Sequence, residues 1–445
     1  MVFSRRVRFW PGIPALLLGL GCLALPCRAA SVGDDTDKVR KEALELERSG
    51  QWARACDLYW QLLKSDRDQA NLKEHYQVCV RHVQQLRRHR DPAFRQAIVH
   101  CRFAQALDVY VEVLAKVQAS YVDRDKVDLP ILFRYGLQEL RFALEDPAFV
   151  QENLAAVDAD RVRAFALRID DWPSRLSGMD EARKQAQAVA QAALLDLGLP
   201  PAVVILELTC GACNGLDEYT AWLNPGQFRE VQASLHTDSV NGAPSVEDVQ
   251  LLGEGIGYCK LTTFHDSTVQ ELRDAILQLQ TQGMRVLILD LRGNPGGLFK
   301  VAVQSSRLFL SDGVIVFTQS RLPEFNETHR SRNADALGMP LVVLVDGETA
   351  SAAEVLAGAL KENRRATLVG QTTFGKGSIQ CVVPLEKIPA GIRITVAKFY
   401  SPANYPYSGH GVTPNNGMEF TDRTAQLNAA LQEAQQLAMM LPPEP

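Results

Sequence analysis

Through residues 31–200 apolar side chains recur at helical spacing, in stretches rich in Ala, Leu, Gln, Arg and Glu and poor in Gly. Such residues lose little freedom in a helix, so this whole part is expected to be helical. Around His236–Ser245 the composition shifts to Thr, Ser, Asn, Gly and Pro, a loop signal. Beyond it, short apolar runs alternate with helical periods. Gly257–Phe264 reads as a strand. Ser267-Thr-Val-Gln270 offers a capping box to a helix whose face carries Val269, Leu272, Ile276 and Leu279 and which Gly283 stops. Strands are expected at Val286–Leu289, Val314–Phe317, Leu341–Val345, Thr367–Val369 and Ser378–Val383. Helices are expected after Gly297, at Ser351–Lys361 and at Thr424–Met440. The alternation predicts an α/β domain with βαβ crossovers.

Composition changes this picture little. The chain has 445 residues, 46% apolar and 22% charged, which is ordinary for a globular protein and excludes wholesale disorder and a disulfide scaffold. Its formal charge of −5 becomes −9 without the four Arg of residues 1–30, which speaks against a generic nucleic-acid binder. Those 30 residues read as a signal peptide: Arg5, Arg6 and Arg8, then apolar Ile13–Leu25, then Ala29 and Ala30. The apolar run is short of the roughly 18 residues that span a bilayer, and an uncleaved anchor is the alternative. Cys22 and Cys27 sit in poor lipoprotein contexts. Of the other cysteines only Cys210 and Cys213 form a close pair, open to a redox, metal or structural reading and best read as structural. Gly50 followed by Ala55, Tyr59 and Leu62 resembles the turn and second helix of a tetratricopeptide repeat, with an ordinary helical hairpin as the alternative.

Three features of the α/β part carry chemistry. Thr349-Ala-Ser351-Ala-Ala-Glu354 follows a strand directly. A serine there is presented at a sheet edge beside free helix N–H groups, good ground for an oxyanion, yet Ser351-x-x-Glu354 is also a capping box. Gly370–Gly377 nearly matches a phosphate loop, but Gly377 replaces the metal-binding hydroxyl and a strand follows, so the nucleotide reading fails. Glycines around Lys376 instead let backbone bury an amine, which lowers its pKa as a base requires. Asp290-Leu-Arg-Gly-Asn-Pro-Gly-Gly297 is turn chemistry whose N–H groups could face a ligand. No GxSxG or HExxH pattern is present, and neither His265-Asp266 nor His410 sits in a pattern that pairs it with a serine.

Together these features resemble the C-terminal processing (tail-specific) peptidase family of serine proteases. The matching text runs in order through Gly255–Leu261, Leu287–Gly297, Leu344–Glu354, Ala359–Ala366, Val369–Gln380, Phe399–Pro402 and Gly409–Pro414, with Tyr121–Asp123 and Leu216–Leu223 upstream. The resemblance implies a crotonase-like (ClpP/crotonase-type) α/β protease core behind a long all-α region. It implies Ser351 as nucleophile, Lys376 as general base, Gln380 as the residue orienting the lysine, and the Gly297 and Ala352 N–H groups as oxyanion hole. It calls for no metal or nucleotide cofactor, and for protein or peptide substrates.

The organisation expected is a signal peptide at 1–30, a TPR-like helical region at 31–100 and a helical flank at 101–235 with an insertion at about 145–204. A linker at 236–254 then stands where such proteases usually carry a PDZ domain. The protease core follows at 255–418, and a C-terminal helix and tail at 419–445. The protein is expected to be exported, periplasmic or extracellular, with the helical region free to bind a protein partner. A catalytically weak scaffold on the same fold is the alternative reading. Ala353 and Asn415 stand where Ser and Asp are common in the family.

Overall fold

The structure is a computed structural model that describes residues 34–65, 69–236, 244–253, 255–417 and 422–442. The signal peptide expected at 1–30 lies outside the described residues. The N-terminal body is helical, as its composition dictates: α1 (Asp34–Arg48), α2 (Trp52–Ser65), α3 (Ala70–Arg90), α4 (Pro92–His100), α5 (Phe103–Ser120), α6 (Leu129–Glu145), α7 (Pro147–Asn153), α8 (Ala159–Asp170), α9 (Met179–Leu197) and α10 (Pro201–Asn214). Helix α10 is buried along nearly its whole length. A helix without a polar face belongs in a core, and α10 packs against α5, α6 and α9. Helices α1 and α2 form a hairpin through Gly50 at φ +71°, and Ala55, Tyr59 and Leu62 are buried in it against Ala43, Leu46 and Leu72.

The α/β part contains β1 (Ala221–Leu223), α11 (Pro225–His236), β2 (Val246–Leu251), β3 (Ile256–Leu261), α12 (Thr268–Thr281), β4 (Val286–Asp290), α13 (Phe299–Phe309), β5 (Asp312–Ser320) and β6 (Glu327–Arg332). It continues through β7 (Leu341–Val345), α14 (Ala352–Glu362), β8 (Thr367–Gly370), β9 (Ser378–Pro384), β10 (Gly391–Tyr400), β11 (Asn416–Gly417) and α15 (Arg423–Met439). One sheet has the order β11-β8-β7-β4-β3-β2. Strands β3, β4, β7 and β8 are parallel, and only β2 runs antiparallel in it. Both faces are covered, so its strands read as unbroken apolar runs. Val286, Ile288, Val342 and Leu344 face Ala430 and Ala434 of α15, while Leu287, Leu289 and Val343 join the main core. A second, antiparallel sheet has the order β1-β10-β5-β6, with β9 also on β10. Val122 N–H donates to Thr395 of β10 at 2.9 Å and ties the helical body to it.

Two expectations are corrected. The stretch 236–254 is not wholly a linker, because residues 246–251 form β2, registered Val246 to Leu261 on β3. Its Val-Glu-Asp-Val-Gln-Leu pattern keeps only a partly apolar face, as an edge strand does. The capping box at Ser267 does not close. Ser267 Oγ bonds Glu271 and His265 Nδ1 instead, and Glu271 reaches the Ser245 N–H at 2.6 Å, fastening α12 to the start of β2.

Candidate active site

The parallel strands deliver the candidate residues to the ends of β4, β7 and β8. Ser351 caps α14 directly beyond β7, with φ +58° and ψ −114°. A non-glycine residue in that region is strained, so the surrounding contacts must hold it. They do: Asp346 Oδ1 accepts the Gly293, Glu348 and Thr349 N–H groups, each at 3.0 Å, and Thr349 Oγ1 donates to Leu291 O at 2.9 Å. Ser351 is fully buried and forms a capping box with Glu354, its Oγ turned to the backbone of the first turn of α14 and without a side-chain partner.

The glycine turn after β4 lies against this serine. Gly296 has φ +105°, and a Cβ there would sit 2.9 Å from Ser351 Cβ and 3.0 Å from Ala352 N. Gly297, at φ +146°, bridges Phe264, and a Cβ on it would stand 2.2 Å from Phe264 O. Phe264 N–H donates to Gly296 O and Leu298 N–H to Phe264 O, so the N–H of Gly297 points away from that strand. Asn294 fixes the turn, donating to Leu261 O and accepting from Gly296 N–H, both at 2.8 Å, while its carbonyl receives Ala350 N–H at 2.9 Å. Asp290 and Arg292 pair beneath the turn at 2.6 Å, and Arg292 reaches Arg423 O at the start of α15.

Lys376 lies in the loop between β8 and β9. One buried carboxylate connects it to the serine. Glu354 Oε2 accepts the Ser351 N–H at 2.7 Å and the Lys376 N–H at 2.8 Å, and Oε1 accepts Thr373 Oγ1 at 2.5 Å and Gly375 N–H at 2.6 Å. Burial pushes the Glu354 carboxyl up to about 7 against those donors. Burial first, then the Arg393 charge, lowers the Lys376 amine to about 8, although Glu218, Glu354 and Asp217 pull the other way. The amine lies 4.4 Å from the centroid of the Tyr219 ring. Arg393 Nε donates to Tyr219 O at 2.8 Å, and Asp217 Oδ1 accepts the Tyr219 and Thr220 N–H groups.

Ser351, Lys376 and Gly297 thus lie on three adjoining loops, and Ala352 opens α14 beside them. Gln380 lies on β9 beside them, but its amide donates to Ser378 Oγ at 2.8 Å and to Thr395 Oγ1 at 3.3 Å. The two histidines lie elsewhere in bonding: His265 pairs with Ser267 and His410 with Ser408 O. Cys210 and Cys213 are buried inside α10, and burial pushes the Cys213 thiol up to about 12. Sequence reasoning assigned Glu354 only a capping role and missed Asn294, Tyr219 and Arg393. The NPGG turn and the Leu216–Leu223 stretch marked where Asn294 and Tyr219 lie. The long-range bonds of Glu354 left no local signal.

A strained serine beside a glycine turn and a buried amine has the means for acyl transfer at a hydroxyl. Residues 255–417 match the model of peptidase family S41, a family of serine peptidases. Among curated relatives, it is 43% identical over 167 residues to a carboxyl-terminal-processing protease of Synechocystis sp., covering 38% of this chain and 39% of that one. It is 34% identical over 202 residues to the carboxy-terminal processing protease CtpA of Bacillus subtilis, covering 45% and 42%. The chain therefore spans less than half the length of these two relatives. Among solved structures, a photosystem II D1 C-terminal processing protease aligns at 19% identity with a TM-score of 0.45, over 74% of this chain and 97% of that one.

Proposed function

We propose that the chain is an exported serine endopeptidase of the C-terminal processing type, working on protein substrates through Ser351 and Lys376 on a crotonase-like core. The observation that carries this reading is the shared carboxylate of Glu354, which fixes the backbones of both residues to one point. Neutral Lys376 takes the Ser351 proton as Oγ attacks the peptide carbonyl carbon. The N–H groups of Gly297 and Ala352 receive the oxyanion, each worth about 3–4 kcal/mol in such sites. The ammonium of Lys376 returns its proton to the leaving amine, which departs and leaves an acyl-serine. Water, deprotonated by the same amine, then attacks the ester, releases the new carboxyl terminus and restores Ser351. Gln380, with its amide spent on Ser378 and Thr395, keeps its carbonyl oxygen to accept from the lysine.

The α1–α2 hairpin, which resembles a tetratricopeptide unit, is the surface on which a protein partner or substrate would be selected. Export accords with relatives that include bacterial and chloroplastic processing proteases. No helix among the described residues is long and apolar enough to cross a membrane.

The test is mass spectrometry of a denatured protein incubated with the chain and with its Ser351→Ala and Lys376→Ala variants. Cleavage by the parent alone is expected. Cleavage that persists in Ser351→Ala would overturn the reading.

A further inference from the structure

The Leu216–Leu223 segment lies outside the chemistry above, yet it meets that chemistry at one atom. Lys376 Nζ stands 4.4 Å from the Tyr219 ring centroid, while Ser351 Oγ, turned to the first turn of α14, has no side-chain hydrogen-bond partner. The base is therefore not on the nucleophile. It rests on an aromatic face, which attracts an ammonium and offers nothing comparable to a neutral amine.

We propose that Tyr219 is a positioning residue that holds the protonated side chain of Lys376 off Ser351, so that loss of the proton releases the amine to the hydroxyl. This rests on the Ser–Lys reading above. The ring is held in place from several sides. Asp217 Oδ1 accepts the Tyr219 N–H at 2.9 Å, Tyr121 OH donates to Asp217 Oδ2 at 3.1 Å, and Arg393 Nε donates to Tyr219 O at 2.8 Å. Tyr219 precedes β1, which is registered Ala221 to Arg393 on β10, so the sheet itself sets the ring.

The groups around the amine oppose one another, one cation and burial against three carboxylates. Arg393 on β10 favours the neutral form, as does burial, whereas Glu218 and Asp217 ahead of β1 and Glu354 on α14 favour the ammonium. With these fields opposed, the ring decides where the ammonium rests. The Tyr219 phenol is bonded to Glu218 and burial pushes it well above its ordinary value, so Tyr219 stays neutral and cannot itself act as a base near pH 8.

The experiment is the pH profile of kcat/KM on fluorescein-labelled casein, paired with the rate at which a fluorophosphonate labels Ser351, for the full chain, three Tyr219 variants, Ser351→Ala and Lys376→Ala. Tyr219→Leu keeps apolar volume over the amine but removes the π face. It is expected to move the acid-limb midpoint down by about 0.5–1.5 pH units in both assays. Tyr219→Phe keeps the face and the midpoint. Tyr219→Trp offers a stronger face and raises the midpoint by about a few tenths of a unit, which tests the idea even if the Leu variant does not fold. A midpoint that is the same in all variants, with only the rate lowered, would overturn the role of Tyr219 and leave the dyad standing. Cleavage and labelling that survive in Ser351→Ala and Lys376→Ala would overturn the dyad itself.

Discussion

Two fully buried carboxylates, one in each half of the molecule, meet opposite fates. In the helical body Glu207 of α10 takes Arg88 Nη2 at 2.6 Å and His89 Nε2 at 2.9 Å, both from α3. Burial pushes its carboxyl up, but the two cations outweigh it and hold Glu207 down at about 2. In the α/β part Glu354 is equally buried but is held by N–H and hydroxyl donors, and burial wins. The first arrangement locks a helix: Arg88 also pairs with Glu139 of α6 at 3.1 Å, so α3 is clamped to two neighbours. The second places backbone, and the pull of Glu354 on the lysine beside it is outweighed by burial and the Arg393 charge. A base that must become neutral is better served by the second.

The widest break in this comparison is Glu207→Ala. It leaves two buried cations short of a partner and is expected to cost about 3–5 kcal/mol in denaturant unfolding. A loss under 1 kcal/mol would mean that the clamp contributes little. Glu354→Gln comes next. Its amide turns a donor toward N–H groups that need an acceptor, at about 1–3 kcal/mol. Steady-state kinetics on labelled casein should show kcat reduced about 10- to 100-fold with KM nearly unchanged and the circular dichroism intact. An equal loss in Glu354→Ala and Glu354→Gln fits this account, and full activity in either breaks it.

The pH profiles should separate the halves further. Burial opposes charge on His89, but Glu207 and Asp146 outweigh it and raise the group to about 9. Its contribution to stability is complete below the unfolded histidine pKa near 6.5 and is lost as pH rises through about 9. The melting temperature should therefore fall between pH 7 and 10, and His89→Gln should flatten that slope. Across the same range peptidase activity should rise through about 8, because Lys376 becomes neutral. The smallest effect is at the seam. Trp60 of α2 lies 4.4 Å from Phe374, two residues before Lys376, so Trp60→Ala should cost about 1 kcal/mol of stability and change kcat only a few-fold.

What the sequence disclosed follows the same division. The parallel strands and their crossovers were legible because Leu341–Val345 and Val286–Leu289 are unbroken apolar runs with helices between them. Ser351, Lys376 and the glycine turn stood out as candidates because each sits in its own short motif, while the roles proposed for them came from the family resemblance. The helical clamp was not: Arg88, His89 and Glu207 stand on helices far apart in the chain, and each alone reads as a solvated surface charge. Strands β2 and β10 escaped for other reasons: β2 is an edge strand with a mixed face, and β10, interior to its sheet, is interrupted by Arg393, Thr395 and Lys398. Tyr219 was marked by its segment but not by its task, because a ring beneath an amine is a tertiary contact without a sequence signature.

The central claim is that Ser351 is a nucleophile served by Lys376. The most direct measurement is intact-mass analysis of the full chain treated with a fluorophosphonate between pH 5 and 10, beside Lys376→Ala. The account predicts one adduct, mapped to Ser351, forming at a rate that rises through about pH 8 and is lost in Lys376→Ala. An adduct on another residue, or a rate at Ser351 indifferent to both pH and Lys376, would contradict it.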